Sequence, residues 1–351
     1  MRKRSMLHGL GGLGAAIVLG LAGLATAQIQ PMGLVLPTEN SALLAGSSGA
    51  YFQFIDRTFE GEKSTPWEGG QFGFVRDPRR IGGRLAYSRF HEGMDVKPVR
   101  RDSRGDPLDE VRAIAAGTVL HVAKVSSQSN YGRYIVVKHD WGYGPFLSLY
   151  AHLREASVEP GDKVATGQKL GIMGYTGAGI DQRRAHTHVE LNLFLSSRFE
   201  QWHNSQFNTP NHHGMYNGLN LIGLDIAGLF QKHAANPKLT AAEFVTTTPT
   251  YYRVLVPGSA DMELIKNYPW LLAGEMPSSK PASWEIAFSS WGLPVAIKAS
   301  TSNCSLPSVT WVKDDPIPHY YNTRGCLTGS GPTAKLTVSG MNFVKLACGA
   351  F

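Results

Sequence analysis

Between residues 85 and 195 the chain is a succession of short β-like runs separated by turn residues. β-Branched, aromatic and aliphatic side chains dominate these runs, which cover residues 117–123, 134–139, 147–152 and 188–194. The segments between them contain Gly, Pro, Asn and Asp, as in Pro160-Gly161-Asp162, and these residues favour tight turns. Because no long helical pattern separates the runs, the sequence predicts an antiparallel β domain.

The segments on either side of this domain differ from it. Residues 28–84 are irregular, and we interpret them as a lead-in that packs on the following domain. Residues 198–248 predict a loop and a helical extension, because apolar residues recur on one side of 223–245. β-Like runs return further on, which predicts a smaller carboxyl-terminal β domain of unknown role over 249–351. The expected fold class is therefore mainly β, with the central domain over 85–197.

The amino terminus has the features of an export signal. The basic Arg2-Lys3-Arg4 precedes an apolar run from Leu7 to Leu24, and Ala25-Thr26-Ala27 fits the small-x-small cleavage pattern. An uncleaved membrane anchor is the alternative, because the apolar run is nearly long enough to span a bilayer. Cleavage after Ala27 is favoured, since no basic stop follows. We therefore predict a signal peptide over 1–27, no membrane span in the mature chain, and a periplasmic or secreted protein.

Charge and cysteine content narrow the properties of the exported chain. The Arg2-Lys3-Arg4 segment holds three of the 34 basic residues, so 31 basic residues face 27 acidic ones in the remainder. This excess is too small to predict nucleic-acid binding. Three cysteines lie in the last fifth of the chain, where an oxidising compartment favours one disulfide. The local choices are Cys304–Cys326 and Cys326–Cys348.

The histidines carry the candidate chemistry, beginning with a His-x-His motif in the last β-like run. On a strand, residues two apart point to the same face. One face of this strand is polar and carries His186, His188, Glu190 and Asn192. Imidazoles spaced in this way can converge on one ion or one water molecule. Taken alone the motif is weak, because solvated histidines explain it equally well.

A second pair, His91 and Asp95, adds the residue types of a zinc site. Residues four apart share a face on a helix or a strand, and the nearby Gly93 and Pro98 argue against a helix. A catalytic zinc ion keeps three protein ligands and leaves one position for water. Two histidines and one aspartate satisfy that requirement and leave further histidines for proton transfer. Spacing alone does not decide which histidine of the His-x-His motif binds the metal.

Five motifs, taken in order, resemble the lysostaphin-type (LytM-like) zinc endopeptidases. The motifs are His91-x-x-x-Asp95, Tyr150-Ala151-His152-Leu153, the glycine-containing segments 161–168 and 171–177, and His186-x-His188. Those enzymes cut the peptide stems or bridges of bacterial cell-wall peptidoglycan. The resemblance covers roughly residues 85–195. It implies the antiparallel β fold of that family, a duplicated hybrid motif, for the central domain.

The resemblance also implies a role for each histidine of the motifs. It implies that His91, Asp95 and His188 are the ligands of one Zn²⁺ ion. It further implies that His152 and His186 are catalytic histidines that do not bind the metal. Peptidoglycan peptide is then the expected substrate.

Two further residues are candidates for supporting roles. Glu190 shares a face with the predicted ligand His188 and is a candidate to orient that imidazole. A solvated strand carboxylate is the alternative interpretation of Glu190. Asn40, in the lead-in, is a candidate to reach the zinc ion in a latent form, as pro-segments of some relatives do.

Two segments depart from the pattern of the family. The segment from Val96 to Val111 is longer and more charged than the usual short loop, and Arg183-Arg184-Ala185 stands where small residues and a proline are common. Because both segments flank the predicted site, the substrate preference of the family does not transfer directly to this chain.

The sequence therefore predicts an exported zinc metalloendopeptidase that acts on peptidoglycan stems or cross-links. A non-catalytic LytM-like activator of a cell-wall amidase is one alternative. Such modules have typically lost ligand residues, whereas this chain keeps all of them. A zinc endopeptidase acting on ordinary proteins is the second alternative. A biotinyl- or lipoyl-like carrier is the third, and the export signal opposes it.

Overall fold

The structure is a computed structural model that describes residues 29–63 and 68–351. The predicted signal peptide lies outside the described residues. Strands account for 33% of the chain and helices for 20%, and the sheets are antiparallel. The prediction of a mainly β protein is therefore confirmed. Within the described ranges, no helix has the length and apolar character that a membrane span requires.

The first fourteen strands lie in the lead-in, the central domain and the extension that follows it. The lead-in has one short helix and two hairpins: α1 Ser48–Tyr51, β1 Thr58–Phe59, β2 Glu62–Lys63, β3 Gly73–Ile81 and β4 Arg84–His91. The next ten strands are β5 Met94–Val96, β6 Glu110–Arg112, β7 Gly117–Ala123, β8 Tyr134–Asp140, β9 Pro145–Ala151, β10 Leu153–Ala156, β11 Lys163–Val164, β12 Lys169–Met173, β13 Thr187–Phe194 and β14 Leu221–Gly223. The main sheet has the order β11-β7-β8-β9-β13-β14, with β5 also paired to β13, and a second sheet has the order β10-β12-β6.

Helices and a third sheet complete the chain. The helices are α2 Phe199–Gln206, α3 Ile226–Ala235, α4 Ala241–Thr246, α5 Glu263–Asn267, α6 His319–Asn322 and α7 Val338–Cys348. The strands are β15 Tyr252–Pro257, β16 Ser283–Phe288, β17 Pro294–Ser300, β18 Ser308–Val312, β19 Leu327–Thr328 and β20 Lys335–Leu336. Strands β15–β18 form a four-stranded sheet in the order β17-β16-β15-β18.

The helical stretch expected over 223–245 is two helices, α3 and α4, rather than one. Helix α3 ends before Asn236-Pro237, because proline lacks the amide hydrogen that an interior helical position must donate. The side chain of Thr240 then accepts a hydrogen bond from the backbone of Glu243 and caps the start of α4. The same capping chemistry forms α7, a helix that the sequence did not predict, since Thr337 caps its start and the left-handed Gly349 ends it.

The main sheet is buried on both faces, and this burial places the polar face of β13 inside the protein. In β8, Ile135 and Val137 belong to the large core, whereas Tyr134 and Val136 belong to a smaller apolar cluster on the opposite face. Strand β13 is buried along almost its whole length. Its polar residues therefore need partners inside the protein, because a buried polar group without a partner is costly.

The lead-in packs along the edge of the main sheet. Tyr51 and Phe52 are buried in the large core. The backbone of Gln53 donates to the carbonyl oxygen of Asp95 at 2.8 Å, and that of Lys97 donates to the carbonyl oxygen of Tyr51 at 2.9 Å. The hairpin β3–β4 runs through residue 85, where we placed a domain boundary. The lead-in is thus joined to the central domain by backbone hydrogen bonds and by a shared apolar core.

The carboxyl-terminal sheet is also bonded to the central domain. Tyr268 Oη donates to the carbonyl oxygen of Pro145 at 2.7 Å, and Trp270 Nε1 donates to that of Tyr143 at 2.6 Å. Side chains of both regions belong to one continuous apolar core. The 249–351 region is therefore joined to the central domain by buried contacts.

The expected disulfide is not present among the described residues. Cys304, Cys326 and Cys348 are all free thiols, and the last two are buried. The thiol of Cys348 lies against the Lys345 carbonyl oxygen of its own helix, at 3.7 Å. Neither local pairing, Cys304–Cys326 or Cys326–Cys348, is formed.

A buried histidine away from the site predicts loss of stability in acid. His139 Nδ1 donates to the carbonyl oxygen of Ala116, and its Nε2 accepts from Ser148 Oγ. Burial lowers the pKa of His139 from 6.5 to about 4. The unfolded chain thus takes up a proton near pH 6.5 that the folded chain refuses until about pH 4, so stability falls across that interval. The expected loss is up to about 3 kcal/mol.

Urea unfolding at several pH values tests this expectation. The wild type is expected to lose stability between pH 6.5 and pH 4, and His139→Asn is expected to show a shallower dependence. His212→Asn is the matched control, because His212 is exposed. Identical pH slopes for wild type and His139→Asn would show that His139 does not contribute.

Candidate metal centre

Pairing of β5 and β13 brings the predicted ligands together. His188 is opposite Asp95 in the β5–β13 pair, and His91 ends the preceding strand β4. Gly93 makes the tight connection possible, because a Cβ atom there would lie 2.3 Å from the carbonyl oxygen of Val189. A side chain at residue 93 would push the connection off the sheet. The sequence thus folds locally so that three side chains from three strands point into one space.

Three donor atoms converge in this space. Asp95 Oδ1 lies 3.0 Å from His91 Nε2 and 2.9 Å from His188 Nδ1, and the two nitrogen atoms are 2.9 Å apart. All three side chains are buried. Zinc bonds of about 2.1 Å at tetrahedral angles separate ligand atoms by about 3.4 Å. The cluster therefore needs only a small outward movement to hold a zinc ion.

Hydrogen bonds on the outer side of each imidazole set its tautomer. His91 Nδ1 is 2.7 Å from the carbonyl oxygen of Gln71, and His188 Nε2 is 2.7 Å from Glu190 Oε1. Since these oxygen atoms accept, the outer nitrogens carry the hydrogen and the inner nitrogens keep a lone pair. Two lone pairs and a carboxylate oxygen facing one another repel unless a cation or a proton lies between them. This donor set fits Zn²⁺.

Two further histidines face the same space from another side. His152 Nδ1 donates to the carbonyl oxygen of Thr176 at 2.9 Å, and His186 Nδ1 donates to that of Arg184 at 2.7 Å. Their rings lie 4.8 Å apart, and His186 Nε2 is 3.4 Å from Asp95 Oδ1. Both histidines are thus fixed at Nδ1 by backbone carbonyls, and Nε2 of His186 faces Asp95.

His152 occupies a strained backbone position. Its φ is +62°, a left-handed conformation that residues with a Cβ atom rarely adopt. Its backbone N–H donates to the carbonyl oxygen of Tyr131, and the next residue, Leu153, donates to that of Arg133. Such strain persists only where neighbouring contacts over-determine it, and it concentrates at functional sites.

Burial and neighbouring charges shift the pKa values of the residues in the cluster. Burial lowers the pKa of His91, and it lowers the pKa of His152 well below its usual range. Burial alone would raise the pKa of Asp95, but the neighbouring charges of His91, His186 and Arg76 hold it well below its usual range. Burial alone would lower the pKa of His188, but its hydrogen bonds with Asp95 and Glu190 raise it to about 10. His188 therefore carries a proton that a bound metal ion must displace, because metal ligation requires a neutral imidazole.

Glu190 is the centre of a buried hydrogen-bond network behind His188. Its Oε1 accepts from Tyr131 Oη at 2.6 Å as well as from His188, and its Oε2 accepts from Asn192 Nδ2 at 2.9 Å. Burial alone would raise the pKa of Glu190, but its hydrogen bonds with His188, Tyr131 and Asn192, together with the charge of His188, lower it. The solvated-carboxylate alternative does not describe this buried side chain.

Glu190→Gln is expected to weaken zinc binding by roughly 10- to 100-fold, because the partner of a ligating histidine fixes its ring and raises its basicity. Chelator competition measures this change. Glu155→Gln is the matched control, since Glu155 is an exposed strand carboxylate. Unchanged zinc affinity in Glu190→Gln would remove Glu190 from the site.

The two segments that depart from the family pattern contact each other beside the histidines. Arg101 donates to the carbonyl oxygens of Gln182 and Arg183. Asp106 Oδ1 accepts from Tyr175 Oη at 3.0 Å and from Gln182 Nε2 at 2.6 Å. The charged loop thus braces the turn whose Arg184 carbonyl holds His186.

Asn40 does not join the cluster. Its side-chain amide donates to the carbonyl oxygens of Ala50 and Lys97 at 3.1 and 3.0 Å, and its Oδ1 accepts from the backbone of Ala42. These bonds commit the buried Asn40 to joining the lead-in to the residues after β5. The expectation that Asn40 reaches the zinc ion is corrected accordingly.

The segment that contains this cluster is similar to known peptidases. Residues 89–198 match peptidase family M23. A curated relative, an uncharacterized metalloprotease of Buchnera aphidicola subsp. Baizongia pistaciae, is 31% identical over 116 residues. That alignment spans 33% of this chain and 26% of the relative. The resemblance stated from the sequence motifs is therefore confirmed for this segment.

Solved structures similar to the chain include two peptidases. The catalytic domain of lysostaphin from Staphylococcus simulans is 18% identical, with 51% of this chain and 92% of that chain covered and a TM-score of 0.28. A zinc-containing peptidase from Vibrio cholerae is 23% identical, with 40% and 36% covered and a TM-score of 0.26.

Proposed function

Since residues 89–198 match peptidase family M23, we propose that the protein is an exported zinc metalloendopeptidase that hydrolyses peptide bonds in peptidoglycan stems or cross-links. One observation carries the proposal. His91, Asp95 and His188 present three donor atoms to one space, and two other histidines, each held at Nδ1 by a backbone carbonyl, lie beside it. This arrangement has separate groups for holding a metal ion and for moving protons.

The donor set supports zinc as the metal ion. His91 Nε2, Asp95 Oδ1 and His188 Nδ1 would hold the ion, which leaves one tetrahedral position for water. A bound zinc ion supplies a water molecule of lowered pKa and a Lewis acid for the scissile carbonyl.

The histidines outside the ligand set move the protons. His152 is kept neutral by burial, so its Nε2 is a suitable acceptor for a proton of the attacking water. His186 donates Nδ1–H to a backbone carbonyl, so its Nε2 can stabilise the developing oxyanion or protonate the leaving amine only after it has taken up a proton from the attacking water. Both rings are fixed before substrate arrives, which limits the reorganisation that the reaction requires.

The surface beside His152 suits a polar peptide. A hollow of about 550 Å³ is lined by Ser126–Asn130 together with Gly177 and Ala178. Gly177 follows Thr176, whose carbonyl holds His152. Backbone and hydroxyl groups in such a hollow can hydrogen-bond to an extended peptide. This polar wall and the predicted export signal support peptidoglycan peptide as the substrate.

Digestion of purified sacculi tests the proposal. The mature chain, residues 28–351, is loaded with zinc and incubated with sacculi from directly cross-linked and from bridge-containing walls, and separately with casein. We expect mass spectrometry to find new amino termini within the peptides of one sacculus type. Chelation is expected to stop the reaction and zinc to restore it, with His186→Ala as the inactive control.

Three results would contradict the proposal. Cleavage of casein with intact sacculi would indicate an ordinary protease. Release of whole peptides from the glycan would indicate an amidase. Absence of hydrolysis by the protein alone, with stimulation of an added cell-wall amidase, would indicate an activator.

A further inference from the structure

An arginine from the lead-in reaches the predicted ligand Asp95. Arg76, on β3, places Nη2 2.6 Å from Asp95 Oδ2, and its Nε donates to the carbonyl oxygen of Gly69 at 2.9 Å. The Asp95 side chain is 6% exposed and that of Arg76 is 34% exposed. Arg76 lies outside residues 89–198, which match the peptidase family.

The two oxygen atoms of Asp95 have different surroundings. Oδ1 faces His91, His188 and His186 at 3.0, 2.9 and 3.4 Å. Oδ2 faces the guanidinium group of Arg76. We propose that Arg76 is a positioning residue that holds Oδ2 and thereby presents Oδ1 alone to the metal. This inference rests on the zinc site of the proposed function.

The local backbone directs Arg76 toward Asp95. The β3–β4 register shifts between Phe74 and Arg76, and the next residue, Asp77, has a φ of +54°. Such a bulge re-aims a side chain that a regular strand would point elsewhere. The neighbouring arginine Arg80, beyond the bulge, instead contacts Glu60 and Glu62. Only Arg76, of these two, points to the cluster.

The carboxyl-terminal region holds this hairpin in place. Trp291 stacks on Phe90 with ring centroids 5.9 Å apart and meets Phe72 edge-on at 5.3 Å. Arg324 pairs with Glu92 at 3.0 Å and lies over the Phe90 ring. The hairpin that carries both His91 and Arg76 is thus fixed from its far side, so the Arg76–Asp95 contact is made by a supported element.

Loss of Arg76 has a defined consequence for Asp95. Without the guanidinium group, Oδ2 is a buried carboxylate oxygen with its charged partner removed, and the carboxylate is free to rotate between its two oxygens. A ligand that is no longer pre-oriented binds metal less tightly. Because the change acts through Asp95 and not on the peptide, we expect zinc affinity and kcat to fall while KM stays nearly constant.

Zinc affinity by chelator competition, together with kcat and KM at saturating zinc, tests the inference. Arg76→Met is expected to bind zinc about tenfold more weakly, with lower kcat and KM within about twofold. Arg76→Lys is expected to restore most of the affinity, because it returns a cation near Oδ2. Arg80→Met, on the same hairpin, is the control and should match the wild type.

The outcomes separate this inference from the proposed function. Wild-type zinc affinity and kcat in Arg76→Met would overturn the role of Arg76 and leave the zinc site standing. Equal losses in Arg76→Lys and Arg76→Met, accompanied by a lower thermal midpoint in both, would show a structural role and would also overturn it. A wild-type protein that binds no zinc would overturn the proposed function and this inference together.

Discussion

Replacement of His188 by alanine is expected to abolish both zinc binding and peptide hydrolysis. His188 Nδ1 is one of three donor atoms, and its outer nitrogen links the site to Glu190. Removal of this ring leaves only two metal-binding atoms, on His91 and Asp95, which are too few for a catalytic zinc site. It also leaves the buried carboxylate of Glu190 without its imidazole partner. Metal content by mass spectrometry and initial rates on muropeptides measure the two losses.

The control for this prediction is a histidine outside the site. His212 is exposed, so His212→Ala should retain the zinc content and the rate of the wild type. Circular dichroism of His188→Ala establishes that the sheet is intact. A folded His188→Ala protein that still holds one zinc ion per chain would contradict the ligand assignment.

His152→Ala is expected to keep the metal and lose the rate. Its ring contacts the cluster edge-on but its Nδ1 is bonded to Thr176, and it is not one of the three converging donors. Removal of a general acid–base group costs about 10²- to 10⁴-fold in rate. We therefore expect kcat to fall by this factor while zinc content remains near that of the wild type.

The companion variant His186→Ala tests whether the two histidines act together. If both serve one proton-transfer pathway, the double variant is expected to be little slower than either single variant, because groups that act as a unit are non-additive. Loss of zinc from His152→Ala, or wild-type turnover in either single variant, would contradict the division between ligands and proton carriers.

The central strands and the site cluster were predictable because both depend on short-range patterns. A period of two places His186, His188 and Glu190 on one face of a strand whatever that strand pairs with. The structure places these side chains together on the face of β13 that receives Asp95. The family motifs predicted which histidines bind the metal and which carry protons, a distinction that spacing alone did not make.

Residues that reach the site across long sequence separations were not predictable. Tyr131 stands between Asn130 and Gly132, a turn pattern, yet its hydroxyl group bonds Glu190 fifty-nine residues later. Arg76 depends on a bulge in a hairpin whose sequence shows only several arginines. Asn40 was a candidate latency ligand, but the backbone carbonyls of Ala50 and Lys97 satisfy its amide. Each outcome was decided by tertiary packing.

In the carboxyl-terminal region, too, short-range patterns were predictable from the sequence and tertiary contacts were not. Its β strands were expected from the sequence, whereas α7 depends on caps at Thr337 and Gly349 and on a buried face within the large core. A disulfide was expected from the export signal and the cysteine count. Which cysteines approach each other depends on the fold, and all three are free thiols here.

The central claim is that His91, Asp95 and His188 hold a catalytic zinc ion while His152 and His186 remain free. Anomalous diffraction at the zinc edge, from crystals of the zinc-loaded mature protein, tests it most directly. We expect one strong anomalous peak within bonding distance, about 2.0–2.2 Å, of His91 Nε2, Asp95 Oδ1 and His188 Nδ1. A peak bonded to His152 or His186, or zinc-loaded crystals without a peak in this cluster, would contradict it.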